Sequence, residues 1–370
     1  MTKPFFRADQ VGSLLRPERL HKARTDLKKG LISAATLRQI EDACIADAVK
    51  FQESVGLQVI TDGEFRRENW WIDFISQIGG VQIETGDGPS FKRGNDHDFK
   101  YVPLNVVTVA KLARPRDITV ADFKVLAGCT KRTPKITLPS PSRMHFHGGR
   151  KGVSNAAYPN MEGFFADIAA LYRAEIAALE ASGCRFIQID DPLLTYFISD
   201  KMRDQVRADG EDPGARLKRY VQLINECIRD RRPDTRIGVH LCRGNSRSGW
   251  MTEGGYERIA ETVFNTLAAD SFYLEFDDAR SGDFGPLRFV PKDKMVVLGL
   301  VTTKFPKLED KSELKRRIDE ASHYVDHARL ALSPQCGFAS SVEGNLITED
   351  VQRAKLQLVV ETAAEVWGNA

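Results

Sequence analysis

MEGFFADIAALYRAEIAALEASGCRFIQIDDP (residues 161–192) passes from one periodicity to another within a single stretch. Over about 160–182, apolar residues recur at three- and four-residue spacing, which marks one face of an α-helix, and Gly183 is a helix stop. RFIQIDDP (185–192) then reads as a short β-strand ending on two carboxylates. A helix that delivers the chain into a strand is one unit of a parallel α/β fold. The same unit recurs in both directions. The expected strands are FRADQVGS (6–13), LQVITDGE (57–64), KITLPSPS (135–142), RFIQIDDP, RIGVHLC (236–242), FYLEFDD (272–278), MVVLGLV (295–301) and LALSPQCG (330–337). Further helical patterns lie near 34–55, 206–231, 254–268, 309–328 and 348–366. The charged face of KLEDKSELKRRIDE (307–320) reads as solvated helix surface.

One gap breaks the rhythm. Between the second and third strands, a stretch over about 66–134 contains GGVQIETGDGPSFKRGNDHDFKYVPLNVVTV. Its Gly/Asp/Asn-rich centre between two β-type runs predicts an antiparallel hairpin insertion. No GxGxxG follows the first strand, which removes the main argument for a dinucleotide-binding sheet. The expectation is a (β/α)8 TIM barrel, one catalytic domain over 1–370, with a hairpin insertion after the second strand. A chain of 370 residues suits one barrel with insertions.

Bulk properties narrow the function. A formal net charge of +2 gives no electrostatic reason to expect nucleic acid or an acidic membrane surface. No apolar run approaches the ~18 residues of a membrane span. The opening MTKPFFRADQ lacks an apolar signal core, so a cytoplasmic location is expected. The six cysteines are scattered, which argues against a disulfide framework. Cys44, Cys184 and Cys227 lie in or just after helical stretches and read as small core residues. Cys129 carries no signal, whereas Cys242 and Cys336 differ because of their neighbours.

Barrel enzymes build their sites at the carboxyl ends of the strands. The suggestive polar residues fall there: Asp9 and Ser13, Glu64, Ser140, Asp190 and Asp191, His240 and Cys242, Glu275, Cys336. Buried thiols, imidazoles and carboxylates are costly unless paired or bound to metal. His240 and Cys242, at i and i+2 of one strand, point to the same face and can reach one ion. With Glu275 and Cys336 they make a tetrahedral set suited to Zn²⁺. The plain alternative is a buried thiol, a structural histidine and an ion-paired glutamate. Two thiolates and a carboxylate with Zn²⁺ leave a net negative site. Such a site is less suited to acidifying water than to holding a substrate thiol as a nucleophile. The chemistry implied is sulfur attack on an electrophilic carbon.

These segments resemble the cobalamin-independent methionine synthases, in particular their catalytic barrel and its single-barrel relatives. ADQVGSLLRP (8–17) is similar to the loop that receives the substrate carboxylate near Gly12 and Ser13. TDGEFRREN (61–69) resembles the motif whose glutamate, here Glu64, binds the homocysteine ammonium, and IQIDDP (187–192) supplies Asp190 as its second partner. The plain alternatives are an ion pair of Glu64 with Arg66, Arg67 or another nearby base, and an N-cap or loop hydrogen bond for Asp190. Asp191 stands where the family has a glutamate. HLCRGN, LEFDD and SPQCGF match the ligand segments, so the resemblance implies zinc on His240, Cys242, Glu275 and Cys336.

The implied reaction is transfer of a methyl group to homocysteine, the donor a methylated folate or a methylated corrinoid on a partner protein. Two departures stand out. A single barrel is expected, without the extra N-terminal barrel of full-length synthases, and the family's histidine after the seventh strand has no counterpart in LGLVTTKFPKLED (298–310). A tertiary amine must be protonated to leave, so another acid is needed. His145 and His147, in MHFHGG (144–149), are the candidates, with a loop-stabilising role as their alternative. Two other functions fit the metal set. One is alkyl transfer to a different thiol, as in epoxyalkane:coenzyme M transferases, although Glu64 and Asp190 would then face a sulfonate unfavourably. The other is zinc binding or thiol sensing without catalysis.

Overall fold

The helix Met161–Ala181 forms where the periodicity puts it. Asn160 caps it by accepting from the Glu162 amide at 2.8 Å, and Gly183 leaves the helix at φ +95°. The structure is a computed structural model describing residues 5–85, 90–93, 96–100 and 104–368. Its strands, in chain order, are β1 (Val59–Ile60), β2 (Gly79–Thr85), β3 (Ser90–Arg93), β4 (Asp96–Lys100), β5 (Leu104–Ala113), β6 (Thr133–Pro134), β7 (Ile136–Pro139), β8 (Phe186–Asp190), β9 (Arg236–Leu241), β10 (Ser271–Glu275), β11 (Met295–Val301) and β12 (Leu330–Pro334).

The parallel α/β architecture expected from the alternation is present. Six strands form one parallel sheet in the order β12-β11-β10-β9-β8-β7. Most of their residues are buried, as a sheet covered on both faces requires. Helices flank it at Ala34–Ser54, Pro213–Ile228, Glu257–Thr266, Lys311–Ser322 and Glu349–Trp367. Ser33, Asp212, Asp310 and Thr348 cap four of them through side-chain oxygens. Cys44 and Cys227 sit inside helices and Cys184 just beyond one, all three buried and free.

The first two expected strands are shorter than the apolar pattern suggested. The first gives one parallel bridge, Ala8 to Leu332, closed by Asp9 N–H to Leu332 O at 3.0 Å and Leu332 N–H to Arg7 O at 2.8 Å. The second is only β1, which pairs with β6. The cause is local: Gly12, Gly63 and Glu64 have φ of +151°, +67° and +59°, which end the extended backbone. These two segments meet through Leu14 N–H to Gly63 O at 3.0 Å and Thr61 Oγ1 to Gly12 O at 2.7 Å.

Between β1 and β6, β2 pairs antiparallel with β5 and β3 with β4. This arm returns to the parallel sheet's carboxyl end, where Lys92 and Trp250 exchange backbone hydrogen bonds of 2.8 and 2.9 Å. No helix among the described residues is long and apolar enough to cross a membrane.

Candidate metal centre

β9 ends in His240 and Leu241, with Cys242 next, and Cys336 follows β12 by two residues. The ligand atoms of these three side chains lie within 4.8 Å of one another, all buried. The register of β8 against β9 sets Asp190 opposite His240, and Asp190 Oδ1 lies 3.2 Å from His240 Nδ1. A carboxylate on one ring nitrogen orients the imidazole and leaves the other for a metal; His240 Nε2 lies 3.2 Å from Gln335 O. Burial opposes a charge on His240, yet Asp190 and Cys336 outweigh it and hold the imidazole up near 10. Cys336, bonded by Cys242 and His240, is pushed well below the usual thiol range despite its burial, while Cys242 is pushed well above it. One thiolate against an imidazolium is the arrangement that a soft dication replaces, and two sulfurs with one oriented imidazole fit zinc.

Glu275, the fourth residue expected at the metal, is outside this group of three. Its carboxylate accepts from Arg280 Nη1 at 2.5 Å and the Arg243 amide at 2.6 Å, and Lys304 Nζ lies 3.5 Å away. Burial alone would raise its pKa, but Lys304, Arg280 and Arg243 hold it near 2, so Glu275 is a carboxylate. Lys304 and Arg280 add positive charge beside a site whose sequence reading counted only negative ligands.

A cavity of about 60 Å³ is lined by Ser13, Glu64, Asp190, His240, Cys242 and Cys336, among others. Thus three of the expected substrate residues, Ser13, Glu64 and Asp190, and three of the expected ligands face one space, while Gly12 does not line it. Glu64 occupies a left-handed backbone conformation that is unusual outside glycine, and such strain collects at functional sites. Its Oε1 accepts from Thr137 Oγ1 at 2.8 Å, with Arg67 Nη1 3.6 Å away. Burial, helped by Asp190, raises the Glu64 pKa to about 7 against the pull of Arg67. Gly12 lies behind it: a Cβ there would come within 2.8 Å of Thr137 Cγ2 and 3.2 Å of Glu64 Oε1. Ser13 is fixed by the Ala339 amide at 3.3 Å.

A second cavity, also about 60 Å³, adjoins the first through shared lining residues such as Trp70 and Tyr196 and is lined further by Trp71, Arg143 and His147. His147 faces it and, buried beside Arg143, is held near 3, so it is neutral at physiological pH. His145 lines neither cavity. Its Nδ1 lies 2.9 Å from Tyr220 OH and its ring packs against Phe165, a structural position. Asp191 is also structural, capping the short helix Pro192–Tyr196 through Leu194 N–H at 3.0 Å and bonding Ser140.

Residues 6–365 match the family model described as the cobalamin-independent synthase catalytic domain. The chain belongs to the cobalamin-independent methionine synthase family. Among its relatives, the uncharacterized protein YxjH of Bacillus subtilis (strain 168) is 42% identical, covering 98% of this chain and 95% of that one. The methionine synthase of Pyrococcus horikoshii is 24% identical over 91% of this chain and 87% of its own. A Listeria monocytogenes crystal structure, described as a vitamin-B12 independent methionine synthase, superposes with a TM-score of 0.76 at 33% identity, covering all of both chains. The Shewanella sp. W3-18-1 enzyme, at 19% identity and TM-score 0.70 over 98% of each chain, shares the fold.

Membership in this methionine synthase family makes the chain a methyltransferase-type enzyme, and three neighbours of the site were missed in its sequence. Arg67 is not among them: it was an expected ion-pair partner of Glu64, and its guanidinium stands 3.6 Å from that carboxylate. Arg280 and Lys304 follow strands that end in more conspicuous residues. Phe91 comes from the arm, 149 positions before His240 (240 − 91). Only Lys304 carried a usable signal, a lysine at the carboxyl end of an apolar strand.

Proposed function

We propose that this chain is a zinc-dependent methyltransferase that methylates homocysteine to methionine. The observation that carries the reading is the convergence of His240, Cys242 and Cys336 within 4.8 Å, in a cavity flanked by Glu64 and Asp190. We read the parallel sheet, with the segments at Ala8 and β1, as a closed (β/α)8 barrel carrying β2–β5 as an insertion in a single domain over 1–370. The separate interior cluster of Val59, Phe186, Tyr273, Val297 and Ala331 supports that closure.

His240, Cys242 and Cys336 would hold the metal, with Glu275 as the neighbouring fourth donor. When bound, zinc supplies the charge that keeps a substrate thiol ionised at neutral pH. The chain does the rest. Asp190 orients His240, and Glu64 with Asp190 receives the substrate ammonium through charge-assisted hydrogen bonds. Ser13, below them, is the partner for the substrate carboxylate, with Gly12 keeping the backbone close. The adjoining cavity at Trp71, Arg143 and His147 is where a methylated folate or corrinoid would present its methyl group. Two acids beside the thiol site favour an ammonium-bearing substrate over a sulfonate. His147, neutral beside Arg143, is poorly suited to protonate a leaving amine. A thermal-shift comparison of homocysteine with coenzyme M on zinc-loaded protein tests the thiol. Stabilisation by coenzyme M alone would overturn it.

Glu64 gives this reading a pH signature. A folded-state pKa near 7, above the ordinary 4.5, means the free enzyme binds an extra proton between those values. Its contribution to stability therefore falls as pH rises through that window. Ammonium binding needs the carboxylate, so affinity moves the other way. Methionine, which has no ionising thiol, is expected to bind about tenfold more tightly at pH 8 than at pH 6. Calorimetric titration checks this, and Glu64→Gln should weaken binding and flatten the profile. An unchanged slope in that variant would remove Glu64 from the ammonium site.

A further inference from the structure

Glu64 holds its left-handed backbone in a segment that follows β1, and residues 64–67 belong to no strand whose ladder would satisfy their carbonyls. Two buried arginines do so instead. Arg16 Nη2 donates to Glu64 O at 3.1 Å and to Arg67 O at 2.9 Å. Arg24 donates to Phe65 O at 2.6 Å and to Arg67 O at 3.1 Å, and its guanidinium lies 3.6 Å from Glu41. Charge-assisted bonds of this kind hold an irregular turn more firmly than neutral ones.

Arg16 reaches further than Arg24. Its Nη1 donates to Ala339 O at 3.1 Å and to Ser341 O at 3.0 Å, on the segment that follows Cys336. One planar guanidinium thus joins the segment of Glu64 to the segment of Cys336 through four carbonyls. Between the last two carbonyls stands Ser340, whose Oγ is 3.9 Å from Cys336 Sγ. Ser13, on the same segment as Arg16, accepts from the Ala339 amide. Trp70 N–H to Ser340 O at 2.9 Å and Val342 N–H to Glu68 O at 2.8 Å also join the two segments, but at Glu68 and beyond. At Glu64 itself the link is Arg16.

We infer that Arg16 is the positioning residue for the two ends of the substrate: its guanidinium fixes the spacing between the Glu64 carboxylate and the sulfur of Cys336. A substrate that carries an ammonium and a thiol on one short chain fits both ends at one spacing only, and small displacements from it are costly. Lysine does not replace arginine here, because a single ammonium lacks the planar fork that reaches two segments at once. This rests on Glu64 receiving the ammonium, and adds that Glu64 does so only while Arg16 holds its backbone.

The test is calorimetric titration of the full chain with methionine at pH 6 and pH 8. The charged groups about the Glu64 carboxylate are Arg67, Asp190, Asp62 and Arg16 itself, whose charge lysine keeps. Once Glu64 leaves its buried place it is ionised at both pH values, so the pH dependence disappears together with the affinity. Arg16→Lys is expected to bind methionine about tenfold more weakly at pH 8, with less than about a twofold difference between the two pH values. Added to Glu64→Gln, it should cost less than about twofold more, because both changes remove one contact. Arg24→Lys loosens the same segment without a bond to Glu64, so it should lower the denaturation midpoint and keep the pH dependence. A retained pH dependence in Arg16→Lys, additive losses with Glu64→Gln, or equal flattening in Arg24→Lys would overturn the proposal. Circular dichroism reports folding. If Arg16→Lys unfolds, the additivity comparison is made with Arg16→Gln, and additive losses there overturn the proposal. An unaltered chain that binds no methionine overturns the ammonium reading and Arg16's role with it, whereas binding that Arg16→Lys leaves unchanged overturns the role of Arg16 alone.

Discussion

Cys336→Ser is expected to lose most of the zinc that the unaltered chain retains through dialysis. Structural zinc sites bind with roughly 10–16 kcal/mol shared among four ligands, so one thiolate is worth about 3 kcal/mol, or about a hundredfold in affinity. Here the loss should be at least that large. Cys336 is the sulfur that its surroundings hold ionised, whereas the Cys242 thiol is pushed up and must give its proton to the metal. Glu275→Gln is expected to cost less zinc, because Glu275 is already held by Arg280 and Lys304. Metal content by plasma mass spectrometry, with circular dichroism to confirm folding, makes the measurement. Cys129→Ser, changing a half-buried thiol outside the metal group, is the control and should retain its zinc. Equal zinc in Cys336→Ser and the unaltered chain would remove the basis of the mechanism.

The convergence behind that expectation was legible because it is local in pattern even where it is remote in sequence. His240 and Cys242 share a strand face by the two-residue period, and each parallel strand delivers its last residues to the same end of the sheet. Glu64 and Asp190 were legible for the same reason. What the sequence could not expose was which charged groups pair through space. Arg280 and Lys304 against Glu275, and the arm that brings Phe91 to the cavities, are matters of packing between elements, whereas Arg67 against Glu64 is a pairing within one motif. Periodicity carries no information about such pairings. The histidines of MHFHGG show the same limit. They stand two residues apart on one short helical turn, yet His145 turns into Phe165 and Tyr220 while His147 faces the second cavity. The first two strands were overread because the expected spans ran on to Ser13 and Glu64, through the glycines that bend the backbone.

Asp9 marks the sharpest divergence between pattern and position, and it supplies the largest expected effect on stability. It sits at an expected strand end with the other polar residues, but it lines neither of the two cavities at the metal centre. It is 3% exposed, its Oδ1 lies 2.8 Å from Lys135 Nζ, and its Oδ2 accepts from Tyr273 OH at 2.5 Å. Lys135 is fully buried; its ammonium also bonds Gln10 O and lies 4.9 Å from the Tyr273 ring centroid.

Burial lowers the Lys135 pKa and Asp9 works against that, so the pair survives only as a pair. Lys135→Met fills similar volume but leaves Asp9 with an uncompensated buried charge. The expected cost is about 3–5 kcal/mol, read as a lower midpoint in chemical denaturation. Asp9→Asn added to Lys135→Met removes that charge and should recover at least about half of the loss. Additive losses in the double variant would show that Lys135 acts by packing alone. Thr137 stands two residues beyond Lys135 and bonds Glu64 at 2.8 Å. The single variant should therefore also weaken methionine binding, because the segment that carries the ion pair also carries the residue that holds Glu64 in place.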